Sequence, residues 1–330
     1  MEFRTHVKIE SFPFKISHSD TLFSMGSCFS DEMGKRLQQS KFSIENNPFG
    51  VLFQPISIEN ALDRVLNLTE YEEYEIFRYN ELYFSWDHSS IFSAIGQKEC
   101  VEKINQRLAI ANEKIRETTV FIITLATSWA YYLKKAEIFV ANCHKVPGKE
   151  FDKILLSENE IEESLKRMID KINDLPQKPK IIFTVSPVRH LRDGLVENSV
   201  SKSRLLNAVY KMTKKFESVF YFPSYEILLD ELRDYRFFTE DMIHPSKQAI
   251  DYIWQKFGDS FFSDSTKELV KKTQEIVKID NHKPLHTETL AFKKFIYHSI
   301  KQMEEVEKEF GYEAFKMEKE KLKLKLKNAD

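Results

Sequence analysis

Two runs constrain this chain more than anything else in it: Val120-Phe121-Ile122-Ile123-Thr124 and Lys180-Ile181-Ile182-Phe183-Thr184-Val185. Both are short, apolar and rich in β-branched residues, the pattern of strands buried on both faces of a parallel sheet. Shorter strand-like runs stand at Thr21–Met25, Phe42–Glu45 and Val219–Phe222. Helical patterns lie between them. Val101, Ile104, Leu108, Ala111 and Ile115 fall at spacings of three and four, as do Ile161, Leu165, Met168, Ile169 and Ile172. The latter follow a capping box, Ser157 with Glu160. Five strands alternating with helices predict an α/β fold: a parallel sheet, right-handed crossovers and helices on both faces. In such sheets ligands sit beyond the carboxyl ends of the strands. Ser27, Asn47, Ser128, Arg189 and the loop holding Asp241 and His244 all follow strands, so the polar residues are expected to converge on one rim.

The chain has 330 residues. Residues 55–118 read as a largely helical insertion, with an aromatic and acidic patch ending in Trp86-Asp87-His88. Residues 1–262 are expected to form the main domain, and 263–330 a charged, helical extension. The closing Lys321–Lys327 alternates Lys and Leu with period two and reads best as a solvated tail. With 27 Phe, 8 Gly and 10 Pro, the composition supplies a core and argues against a linker-rich chain. A net charge of -2 gives no nucleic-acid footprint. No apolar run is long enough to span a bilayer. No basic and then apolar leader precedes the first strand, and three widely spaced Cys make no disulfide framework. A cytoplasmic setting is therefore expected.

Chemistry concentrates in two stretches. Met25-Gly26-Ser27-Cys28-Phe29-Ser30 joins a strand to a helix, with Gly for a sharp turn. Free N–H groups and the positive dipole end there favour negative charge. A Ser27 hydroxyl so placed could attack a carbonyl; it could also simply cap the helix. Far downstream, Asp241 and His244 stand three apart in Thr239-Glu240-Asp241-Met242-Ile243-His244-Pro245. A carboxylate at that spacing can fix an imidazole tautomer while the other ring nitrogen faces a nucleophile. Cys28 reads as a small apolar residue, or as a thiolate partner for His244. His88, His144 and His190 are candidate pocket residues whose spacings match no metal signature. Arg189 and Arg192 could pair a carboxylate or phosphate on a substrate.

Gly26-Ser27-Cys28-Phe29-Ser30 resembles the signature of the GSCFA family, with Ser in place of the final Ala. Asn47-Pro48-Phe49-Gly50, Trp86-Asp87-His88, Ala141-Asn142-Cys143-His144 and Ser186-Pro187-Val188-Arg189-His190 agree in order, and the resemblance covers about 20–260. That family is similar to the SGNH (GDSL-type) hydrolases. The resemblance implies a flavodoxin-like three-layer α/β/α sandwich with five parallel strands. It implies Ser27 as nucleophile, Asp241 and His244 as its partners, Gly50 as an oxyanion donor and no cofactor. Where the superfamily has Gly-x-Asn-Asp, this chain has Ala126-Thr127-Ser128-Trp129, so the Asn donor is missing. Ser128, or Asn142 from the next segment, could replace it.

The expected function is a serine esterase or deacylase acting on an ester of a carbohydrate or small metabolite. In it His244 takes the Ser27 proton and returns it to the leaving alcohol. Two alternatives stand beside it. One is a degraded, ligand-binding scaffold that self-associates through 263–330. The other is an acyltransferase, which differs only in the acceptor.

Overall fold

The structure is a computed structural model that describes residues 4–280 and 289–327. Five strands form one parallel sheet: β1 (Thr21–Gly26), β2 (Ser43–Asn46), β5 (Val120–Leu125), β9 (Lys180–Val185) and β10 (Val219–Tyr221). Their order across the sheet is β10-β9-β5-β1-β2. Counting sheet strands alone, that is the doubly wound order 2-1-3-4-5, with its switch point between β1 and β5. Register is direct: Phe23 lies opposite Phe121, and Phe121 opposite Ile181.

Alternation along the strands sends side chains to two cores. On one face Leu22, Ile122 and Ile182 pack against α1 (Cys28–Gln39) and against Ile250, Trp254 and Phe257. On the other, Phe23, Phe121, Ile181 and Phe183 meet Ile58, Ile104, Leu165 and Leu205. Those four belong to α2 (Pro55–Asn67), α3 (Gln97–Ile115), α4 (Glu158–Asn173) and α5 (Leu195–Lys215). The capping box at Ser157 and Glu160 opens α4. The result is a three-layer sandwich.

The insertion is not wholly helical. Between α2 and α3 the aromatic patch forms an antiparallel hairpin, β3 (Ile76–Tyr79) with β4 (Leu82–Ser85). A second small sheet follows β5: β6 (Trp129–Leu133) flanked by β7 (Ile138–Val140) and β8 (Phe151–Leu155). After β10 come a short α6 (Ser224–Glu226), a π turn over Ile227–Leu232, and α7 (Lys247–Phe261).

The extension forms α8 (Asp264–Asp280), α9 (Leu290–Phe310) and α10 (Lys316–Lys327) around Phe292, Ile296, Met303, Phe315 and Leu322. The expected solvated tail is therefore a packed helix. Leu322 and Leu326 stand four apart, so both face the extension's core while Leu324 points out. A period-two alternation thus also supplies one helical face. No described helix is long and apolar enough to cross a membrane.

Candidate active site

The site is built at the switch point, where β1 ends. Gly26 has φ +141°, and a Cβ there would stand 2.2 Å from the Thr124 carbonyl oxygen of β5. Glycine is required both for the conformation and for that approach. Ser27 follows at the N-cap of α1, yet its side chain makes no capping hydrogen bond. The hydroxyl is fully buried and has no hydrogen-bond partner among the described residues. Capping does not explain the residue, and His244 is not on it in this structure.

Asn47 closes the turn beyond β2 in a left-handed conformation, φ 45°, which Asn tolerates. Its Oδ1 accepts the Gly26 N–H at 2.9 Å. That bond fixes the amide's orientation and leaves Nδ2 buried with no partner. A free amide donor therefore hangs from the residue that grips the Gly26-Ser27 turn. Two of the other proposed donors, Gly50 and Ser128, are committed. The Gly50 N–H donates to the Asn47 carbonyl at 2.8 Å. A Cβ on Gly50 would meet Ser89 Oγ at 1.9 Å, so its glycine character reflects packing. Ser128 gives its hydroxyl proton to the Ser201 carbonyl and its N–H to Ser201 Oγ, both at 2.7 Å. Asn142 Oδ1 accepts the His144 N–H at 2.8 Å within its own turn.

The downstream pair has the expected geometry. His244 Nδ1 lies 2.7 Å from Asp241 Oδ2, and both side chains are about half exposed, at 49% and 45%. Asp241 Oδ1 receives the Thr239 hydroxyl at 2.6 Å, with the N–H groups of Ile243 at 2.8 Å and His244 at 3.0 Å. These donors, the Thr239 hydroxyl first, hold the carboxyl well below the usual range. An ionised Asp241 keeps the Nδ1 proton and leaves Nε2 as the acceptor. The loop is tied to the strand rim by Arg189, whose N–H donates to the Ile243 carbonyl at 3.2 Å. The Arg189 guanidinium lies over the Phe238 ring, 4.2 Å from its centroid.

Lys202 is the residue that sequence reading missed. It stands on α5, 1% exposed, and its Nζ donates to the Ser186 carbonyl at 2.6 Å. Burial brings its pKa down to about 7, opposed by the nearby Cys28 thiol. His190, whose Nε2 is buried and unpartnered, is pushed down to about 3 by burial and by the charges of Lys202, His244 and Lys153. It is thus a neutral ring. Cys28 is raised by burial, which outweighs the helix-end N–H groups and Lys202. That environment disfavours a thiolate. The sequence signal for Lys202 was its position on the apolar stripe of α5, with Leu205 and Val209.

His88 lies in the insertion, and His144 between β7 and β8. His88 stacks on Phe49 at 4.2 Å, bonds Ser85 Oγ at 2.9 Å, and is held down to about 3 by burial. His144 has both ring nitrogens bonded, to Ser90 Oγ at 3.0 Å and to the Ser85 carbonyl at 2.8 Å. Among the described residues no cluster of His, Cys, Asp and Glu could hold a metal ion.

The rim can therefore offer an unencumbered hydroxyl at a helix N-terminus, an oriented imidazole–carboxylate pair and a free amide donor. The sequence profile described as the GSCFA family matches residues 21–257. A second, described as GSCFA domain protein, C-terminal domain, matches residues 273–328. No curated protein and no solved structure matches the chain.

Proposed function

The chain belongs to the GSCFA family, and we propose that it is a serine hydrolase that cleaves an ester, such as an acyl group on a carbohydrate or small metabolite. One observation carries the reading. The Asp241–His244 pair, 2.7 Å apart, is tied by the Arg189 N–H to the segment that follows β9, and a Ser27 hydroxyl that no cap or described hydrogen bond uses follows β1. In this mechanism His244 Nε2 removes the Ser27 proton as Oγ attacks the ester carbonyl. Asp241 stabilises the imidazolium. The Ser27 N-terminal amides and Asn47 Nδ2 face the developing oxyanion. The imidazolium then protonates the leaving alcohol, and water repeats the sequence on the acyl-enzyme. An acceptor alcohol in place of that water would make the same site an acyltransferase.

Ser27 is closed off from solvent, so turnover requires a covering segment to move. The same closure favours a second reading, a binding scaffold without chemistry. A fluorophosphonate probe separates the two. Wild type is expected to be labelled on Ser27 and to hydrolyse short acyl esters. Ser27→Ala should lose the label, with ester hydrolysis down by about 10³-fold or more. Unlabelled wild-type protein, or equal rates in both, would leave the binding scaffold.

A further inference from the structure

A cleft of about 640 Å³ opens between α2, the β3–β4 hairpin and the β6–β7 hairpin, sharing no lining residue with the rim around Ser27. Its wall is aromatic. Trp86 lies flat on Phe77 with 3.6 Å between ring centroids. Buried Tyr71 donates its hydroxyl to Asp87 Oδ2 at 2.8 Å. The other Asp87 oxygen accepts no hydrogen bond among the described residues.

Charge in the cleft does not balance. Asp63 is paired with Lys171. Arg64 is spent: it pairs with Glu75, donates to the Thr69 and Glu70 carbonyls at 3.3 Å each, and lies 4.1 Å over the Tyr71 ring. Asp87 and Glu75 thus share one guanidinium, and one negative charge is left over, at Asp87. Burial, the largest influence on that carboxyl, pushes it upward. A carboxylate held in such surroundings without a counter-charge of its own costs stability.

An anion would add to the excess. A neutral polyol would leave it uncompensated. A quaternary ammonium could not donate to the free oxygen. We propose that this cleft binds a small molecule carrying a protonated primary amine, its N–H donating to the free oxygen of Asp87 and its charge lying against the aromatic wall. Ammonium groups gain from both contacts when desolvated. The inference does not depend on Ser27 chemistry.

Titration calorimetry on the full chain tests it with two matched pairs: glucosamine against glucose, and cyclohexylamine against cyclohexanol. Each amine is expected to bind at least about tenfold tighter than its hydroxyl counterpart. Asp87→Asn keeps an acceptor for Tyr71 and should weaken amine binding by at least about tenfold. Asn60→Trp, on the exposed face of α2, should block the cleft without touching the core; it decides the matter if Asp87→Asn fails to fold. Equal binding of glucose and glucosamine, retained amine affinity in Asp87→Asn, or no binding by any of the four would overturn the proposal.

Discussion

At the scale of single residues, Asn47 has two jobs that one substitution can separate. Its Oδ1 holds the Gly26 N–H, and its Nδ2 is free. Alanine would remove both and leave a buried N–H unpaired, at about 1–3 kcal/mol. Asn47→Asp keeps an acceptor for Gly26 and replaces the donor with a second carboxylate oxygen, which adds negative charge where the oxyanion would form. In the esterase reading it should lower kcat by about 10²–10³ with little change in KM. An unchanged kcat would remove Asn47 from the oxyanion hole. The hydrolase pattern that the sequence resembles puts an Asn donor after the third sheet strand, and this chain has Ser128 there. A free amide after the second strand was visible as a residue type in Asn47-Pro48-Phe49-Gly50. Its role was not, because only the bond to Gly26 shows which way the amide points.

At the scale of elements, α5 carries the clearest contradiction of ordinary burial. Its inward stripe runs through Ser201, Lys202, Leu205, Ala208, Val209 and Met212, so a lysine sits where an apolar residue would stabilise more. The pH dependence follows in sign. Lys202 falls to about 7 in the folded chain from an ordinary 10.5. Between those values the unfolded state binds the extra proton, so folding stability rises with pH across that window. Below about pH 7 both states are protonated, and the burial cost is present in full. Lys202→Met should remove this contribution. Urea melts from about pH 6 to about pH 9 should show a rising stability difference in wild type that is absent in the variant. Equal slopes would mean that Lys202 titrates normally. The same elements show what the sequence made legible. Four of the five sheet strands stood out as short, largely apolar runs, and β2 by the alternation of Phe42-Ser43-Ile44-Glu45. The β6–β8 sheet did not, since Trp129–Leu133 and Phe151–Leu155 are half-exposed and their pairing is set by distant partners. The Asp241–His244 contact was legible because three-residue spacing is local. Lys202 near Cys28 was not, because it depends on how α5 crosses the sheet.

At the scale of the whole molecule, the question is how the extension is joined to the sandwich. The docking runs through Lys41, just past α1. Its Nζ pairs with Glu318 of α10 at 2.5 Å and lies 4.9 Å over the Phe315 ring. Its carbonyl accepts the Tyr312 hydroxyl at 2.7 Å. His18 adds an edge contact with Phe310 at 4.6 Å. Lys41 and Glu318 are only 16% and 20% exposed, so the pair is screened less than a surface bridge. Lys41→Met keeps the apolar stem and strands Glu318, which should weaken docking by about 1–3 kcal/mol. Because α8 also reaches the sandwich core through Val270, the loss should fall on the far end of the extension. Hydrogen exchange is expected to quicken in α10 while the amides of β1, β5 and β9 keep their protection. If sheet and α10 lose protection together, the extension and the sandwich unfold as one unit and Lys41 is no hinge between them.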